Sequence, residues 1–263
     1  MPTQAERMAR FRRRQRSGRK VVLSEGDSWF SYEFFPNVID LLDDMETFAH
    51  LRLEMSGDTV HNMVGNKTKR RDLRQVAEQE HALFLLFSGG GNDIQMASDR
   101  GLFIEGVEPE DCIDWEKAER LFTTMRDQYE ALIEEVGPAV PIASHGYDWF
   151  QPTDEPVRLA GMGIGIGPWL HPNMVRARID DPDKQRAVAD ILVDRFNDDL
   201  AELAADHPDD FVYIDLRGTL APVDDWENEI HPTRDGFRKV TDEIWDAING
   251  PVRALVEQRS WGP

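Results

Sequence analysis

Six consecutive apolar residues, Ala82-Leu83-Phe84-Leu85-Leu86-Phe87, run straight into Ser88-Gly89-Gly90-Gly91-Asn92-Asp93. A strand with apolar side chains on both faces has no face to turn to water. This run therefore predicts a central parallel strand covered by helices on both sides. Shorter apolar stretches at Val21 to Ser24, His50 to Met55, Ala139 to Ala143 and Phe211 to Asp215 read as further strands. Pro36 to Met45, Lys69 to Glu80, Asp114 to Val136, Lys184 to Ala205 and Thr233 to Val256 read as helices. Strands alternating with helices predict an α/β fold, a parallel sheet wrapped on both faces.

A chain of 263 residues without an internal repeat or a linker reads as one domain over residues 21–263, preceded by a basic arm over 1–20. Residues 149–183 are an irregular stretch and a candidate flap. Its Gly161, Gly163, Gly165 and Gly167 follow no strand and open no helix, which argues against a dinucleotide site; Pro168 and Trp169 are expected to end the flap.

Arg7, Arg10, Arg12, Arg13, Arg14, Arg16, Arg19 and Lys20 make the first residues basic, yet the formal net charge of the chain is -20. A phosphate backbone meets repulsion over most of such a surface, so the charge points away from nucleic acid, and the arm is expected to be a solvated, partly helical leader. No apolar run reaches the roughly 18 residues that span a bilayer, and the N-terminus lacks a signal peptide's apolar core. Cys112 is the only cysteine. It permits no intrachain disulfide and no cysteine zinc cluster, and a reducing cytoplasm is the simplest expected compartment.

Ligands of parallel sheets bind beyond the carboxyl ends of the strands. Asp27-Ser28, Gly57-Asp58, Asn92-Asp93 and His145 to Asp148 each follow a predicted strand and are expected at one edge of the sheet. Gly26 is expected to permit a tight turn before Ser28, and a helix N-terminus behind Ser28 to favour a developing negative charge. A serine hydroxyl becomes a nucleophile only beside a base. Of the seven histidines, His231 is favoured because Pro232 fixes the chain beside it and Asn228 and Glu229 stand close. The backbone N–H groups of Ser28 and Gly57 and the side-chain amide of Asn92 are candidate oxyanion donors. Asp27 and Asp93 are expected to shape their loops. Trp29, Tyr147 and Asp148 are candidates for the pocket wall. Phe30, Phe34, Phe35, Trp149, Phe150 and Trp169 also lie near strand ends, as do His61 and His145; taken singly, such residues are more often core or structural.

Gly26-Asp27-Ser28-Trp29 resembles the first block of the SGNH hydrolases, the GDSL-like lipases and esterases. Gly57 resembles the glycine of their second block, and Gly90-Gly91-Asn92-Asp93 their Gly-x-Asn-Asp; Asn228-Glu229-Ile230-His231 stands where the last block has Asp-x-x-His. These matches run from residue 21 to about 240. The resemblance implies a flavodoxin-like three-layer sandwich with five parallel strands, no cofactor or metal, and a small-molecule ester as substrate. It further implies an acyl-serine intermediate. Ser28 attacks, His231 takes its proton, and Ser28 N–H, Gly57 N–H and the Asn92 side chain hold the oxyanion. Short-chain acyl esters, lysophospholipids, thioesters and acetylated sugars all suit this family, and the aromatic residues near the site favour a small or short-chain acyl group.

One position departs from the family. Asn228 stands where an aspartate is usual; its carbonyl can orient a ring N–H but offers no charge to an imidazolium. In trypsin the change from aspartate to asparagine lowers kcat about 10⁴-fold. The third partner is Asn228 itself in a Ser-His dyad, Asp225 or Asp224 reaching back, or Glu229. Two rival functions remain. A metal-dependent phosphoesterase would use Asp27, Asn92, Asp93 and a histidine, but no His-x-His or Asp-x-His pair follows a strand. A non-catalytic acyl- or carbohydrate-binding module has only the missing aspartate in its favour. Because the base must be neutral, activity is expected to fall below about pH 6.5, the reference pKa of histidine.

Overall fold

A computed structural model describes residues 3–155, 157–158 and 165–260. Its strands are β1 (Val21–Gly26), β2 (Ala49–Arg52), β3 (Ala82–Ser88), β4 (Ile142–His145), β5 (Val157–Arg158), β6 (Gly165–Ile166) and β7 (Phe211–Ile214). Five of them form one sheet in the order β2-β1-β3-β4-β7, with every neighbouring pair parallel. The apolar run is β3, at the centre of the sheet, with Phe84 to Phe87 buried.

The helices are α1 (Gln4–Arg16), α2 (Val38–Asp44), α3 (Val60–Val64), α4 (Lys67–Glu80), α5 (Gly91–Asp99), α6 (Trp115–Val136), α7 (His171–Arg176), α8 (Pro182–Asp206), α9 (Arg234–Ala247) and α10 (Arg253–Ser260). They cover both sides of the sheet: α2 packs on α9, whereas α3, α4 and α8 pack on α6. The result is the expected three-layer, flavodoxin-like α/β sandwich. No described helix is long and apolar enough to cross a membrane.

Four features differ from the sequence expectation. β4 begins three residues late because Pro141 has no N–H for the ladder and lends only its carbonyl, to Leu85 N at 2.9 Å. The last helix is broken after Ala247 by an irregular turn containing Pro251. The basic arm is helical, as expected, but it docks on the domain instead of standing free in solvent. It forms α1, opened by a Thr3–Glu6 capping box, and it buries Phe11 in the core. Arg14 pairs with buried Asp43, and Arg12 with Glu80 at 2.7 Å, so much of the arm's charge is met within the domain. Residues 149–183 are likewise not irregular throughout. They hold the antiparallel pair β5–β6 and helix α7. Gly161 and Gly163 lie outside the described residues.

Candidate active site

The chain leaves β1 in a single turn, in which the N–H groups of Phe30 and Ser31 both donate to Asp27 O, at 3.2 and 3.0 Å. The next helix starts only at Val38, so the helix N-terminus expected directly behind Ser28 is absent. Gly26 is needed for a reason other than a turn. A Cβ there would stand 2.8 Å from the Cβ of Ser88 on β3, so glycine permits the close approach of the two strands. Buried Asp27 accepts from Trp29 N at 3.0 Å, from Ser88 Oγ at 2.9 Å and from the Tyr147 hydroxyl. Burial pushes its carboxyl up to about 6, against those hydrogen bonds. Its place is under the serine turn.

His231 sits two residues before Thr233, which caps α9 by accepting from Gly236 N at 3.1 Å. An isolated bridge between Trp226 and Pro232 closes the preceding loop and sets His231 beside the turn after β1. There His231 Nε2 lies 2.7 Å from Ser28 Oγ, and its Nδ1 lies 3.0 Å from Asn228 Oδ1. That same oxygen accepts from the backbone N–H groups of Ile230 and His231, at 3.1 and 3.0 Å. Two backbone donors leave no choice about which end of the amide faces the loop. Asn228 therefore presents an acceptor, Nδ1 carries the ring proton, and Nε2 offers its lone pair to the serine hydroxyl.

The other acids are committed elsewhere. Asp225 accepts from Ala221 N at 2.6 Å and from Lys239 Nζ at 2.5 Å; although its burial opposes it, Lys239 keeps its pKa below the ordinary value. Glu229 is fully buried and accepts from Leu170 N at 2.9 Å, His171 N at 2.7 Å, Thr153 N at 3.4 Å and Trp169 N. It ties the start of α7 to the histidine loop and points away from the ring. Asp224 is exposed.

Burial also acts on the imidazole of His231. With no carboxylate hydrogen-bonded to it, His231 is pushed down to about 3 by desolvation. On the expectation that His231 is the base, the acid limb expected near pH 6.5 moves lower, and activity should stay flat from pH 8 to about pH 5. Asn228→Asp tests the cause. A carboxylate fits the same three donors and favours the imidazolium, so the acid limb of kcat/KM should move up by at least about one unit. Above that limb kcat should rise roughly tenfold. That gain is smaller than trypsin's loss because there the asparagine selects the wrong tautomer, whereas here the tautomer is already correct. An unmoved limb would show that the Nδ1 contact does not govern the base.

Asn92 occupies the first turn of α5, and its Nδ2 donates to Asp58 O at 2.8 Å, leaving a second N–H unspent. Gly57 holds φ at +83°, where a Cβ is strained although no atom obstructs it. Among the described residues, neither Ser28 N–H nor Gly57 N–H has an acceptor within the protein. Ser28, Gly57, Asn92 and His231 line one cleft of about 350 Å³. Tyr32, Phe34, Met96, Trp169 and Ile230 supply its apolar wall, and Glu33, Ser56 and Gln95 its polar part.

The expected wall residues Trp29, Tyr147 and Asp148 do not line this cleft. Trp29 is buried, and its Nε1 donates to Ile230 O at 2.8 Å. Tyr147 turns inward to Asp27. Asp148 accepts from the N–H groups of Trp149, Gly218 and Leu220, at 2.8, 3.0 and 2.6 Å. A strand end fixes which edge a residue reaches, but not which way its side chain points. His145 is buried and stacks on Trp29 with centroids 5.5 Å apart; His61 is exposed beside Gln128. Asp93 accepts from Val60 N at 2.9 Å at the start of α3. Among the described residues no three His, Cys, Asp or Glu side chains converge to hold a metal ion. Tyr32 and Met96 carried no signal in the sequence beyond their proximity to Ser28 and Asn92.

No protein-family model matches the sequence, and no curated protein does. Solved structures do resemble it. An extracellular lipase from Streptomyces rimosus superposes with a TM-score of 0.56 at 18% identity, over 87% of this chain and 99% of that one. A member of the lipolytic G-D-S-L family from Veillonella parvula gives 0.53 at 15% identity, over 88% and 99%. The chain has the SGNH-hydrolase fold. The N-terminal part of a Bacteroides fragilis protein, which contains a phosphatase domain and was solved with Mg, gives a TM-score of 0.50 at 11% identity, over 93% of this chain and 57% of that one. Proteins given such different names share the SGNH-like architecture, so the chemistry has to be argued from the side chains.

Proposed function

We propose that the protein is a serine-dependent carboxylic ester hydrolase of the SGNH family that works through an acyl-serine. The observation that carries this reading is the 2.7 Å contact between Ser28 Oγ and His231 Nε2, whose other ring nitrogen is held by Asn228. As Oγ bonds to the ester carbon, its proton passes to Nε2. The carbonyl electrons move to oxygen, where Ser28 N–H, Gly57 N–H and the free Asn92 N–H are available as donors. Collapse of this intermediate breaks the bond to the leaving alcohol, which takes the proton from Nε2. Water then repeats the sequence on the acyl-serine, with His231 as base and then acid.

The small cleft and the apolar side chains of Tyr32, Phe34, Met96 and Trp169 favour a small or short-chain acyl group. A series of p-nitrophenyl esters from acetate to dodecanoate, run beside acetylated xylan and a lysophospholipid, tests this. The kcat/KM is expected to be highest for the two- to four-carbon esters and to fall with chain length. A preference for the longest chain, or for the lysophospholipid, would replace the short-chain assignment. A preference for acetylated xylan would make the enzyme a carbohydrate O-acetyl esterase of the same fold.

A further inference from the structure

Taking the serine proton puts a positive charge on a ring that is buried and has no carboxylate against it. Among the described residues the hydrogen-bond partners of that ring are Ser28 and Asn228, both neutral. Glu229 faces the start of α7, Asp225 faces Lys239, Glu33 lies on the cleft wall and Glu227 is exposed. Two aromatic rings stand beside the imidazole instead. The Tyr32 centroid lies 4.6 Å from that of His231 with the planes tilted by 37°, and the Trp169 centroid lies 5.6 Å away at 71°.

Tyr32 is held firmly in that position. Its ring packs against Phe35 and Phe237, with centroids 4.9 and 5.7 Å away, and its carbonyl accepts from Asn37 Nδ2 at 3.3 Å. Its hydroxyl lies 3.5 Å from Asn228 Nδ2. A cation within about 6 Å of an aromatic centroid is attracted to the electron-rich face, more strongly when both are out of water. Neutral imidazole gains little from that face, so the attraction grows as the proton arrives and favours the transition state over the ground state.

We propose that Tyr32 is a positioning residue whose ring face stabilises the imidazolium of His231, supplying part of what the absent aspartate would supply. The inference rests on the serine-hydrolase reading above. Tyr32 exchanges no proton: the proton moves from Ser28 Oγ to His231 Nε2, then to the leaving alcohol.

The test is steady-state kinetics on p-nitrophenyl acetate with Tyr32→Phe and Tyr32→Leu, each alone and combined with Asn228→Asp. Tyr32→Leu should lower kcat roughly tenfold, beyond any change in KM from the altered cleft wall, and Tyr32→Phe, which keeps the ring, should lower kcat much less than Tyr32→Leu does. Adding Asn228→Asp to Tyr32→Leu should restore kcat, because a charge replaces the ring face. Phenylalanines of increasing fluorination incorporated at Tyr32 keep the shape and drain the face of electrons. They should lower kcat stepwise, which keeps the test decisive even if Tyr32→Leu folds poorly. A flat fluorination series, or a folded Tyr32→Leu with wild-type kcat, would overturn the inference while leaving the hydrolase reading intact. A wild type that hydrolyses no ester would overturn both.

Discussion

Ser28→Ala is expected to lower kcat on the best p-nitrophenyl ester by at least roughly 10⁴-fold, with the fold unchanged. In the proposed mechanism the hydroxyl is the only part of the side chain with a chemical task. It stands 2.7 Å from His231 Nε2, and the backbone around it is held by Asp27, not by its own side chain. Removing one oxygen from a nearly buried position therefore costs little in packing. His231 loses a partner but stays tied through Nδ1 to Asn228. A circular dichroism spectrum and melting temperature close to the wild type, with activity gone, is the expected result. A variant retaining a tenth or more of the activity would remove Ser28 from the chemistry.

The second large effect is at Asn92. Asn92→Ala should lower kcat by about 10²- to 10³-fold while leaving KM within a few-fold, because the lost donor acts only when negative charge builds on the carbonyl oxygen. The same substitution removes the 2.8 Å bond to Asp58 O that ties α5 to the Gly57 loop. Some loss of thermal stability should accompany it, so the kinetics need a temperature at which the variant is fully folded. A fall in kcat of less than about threefold would take Asn92 out of the oxyanion site and leave the backbone donors alone there.

Most of this architecture could be read from the chain because apolar pattern has a direct physical meaning in a parallel sheet. The uninterrupted Ala82 to Phe87 run had to be covered on both faces, and the glycine-rich ends that follow the strands had to lie at one edge. The same reasoning puts Ser28, Gly57 and Asn92 at one edge, where they line a single cleft. It could not set side-chain direction. Trp29 and Ser28 are adjacent, yet one enters the core and the other lines the cleft. Asn228 and Glu229 are also neighbours. Which of them meets His231 depends on the backbone donors of residues 169–171, far away in sequence. The docking of the basic arm is not legible locally for a similar reason: its acidic partners Asp43 and Glu80 lie beyond β1. The low pKa of His231 follows from burial, which exists only once the chain has folded.

Covalent labelling tests the central claim most directly. The intact protein is incubated with a small fluorophosphonate, which phosphonylates an activated serine, and is then weighed by mass spectrometry. The expected result is a single adduct on the wild type, mapped to the peptide containing Ser28, and none on Ser28→Ala. A folded wild type that stays unlabelled, or an adduct that persists in Ser28→Ala, would contradict the assignment of Ser28 as a nucleophile activated by His231.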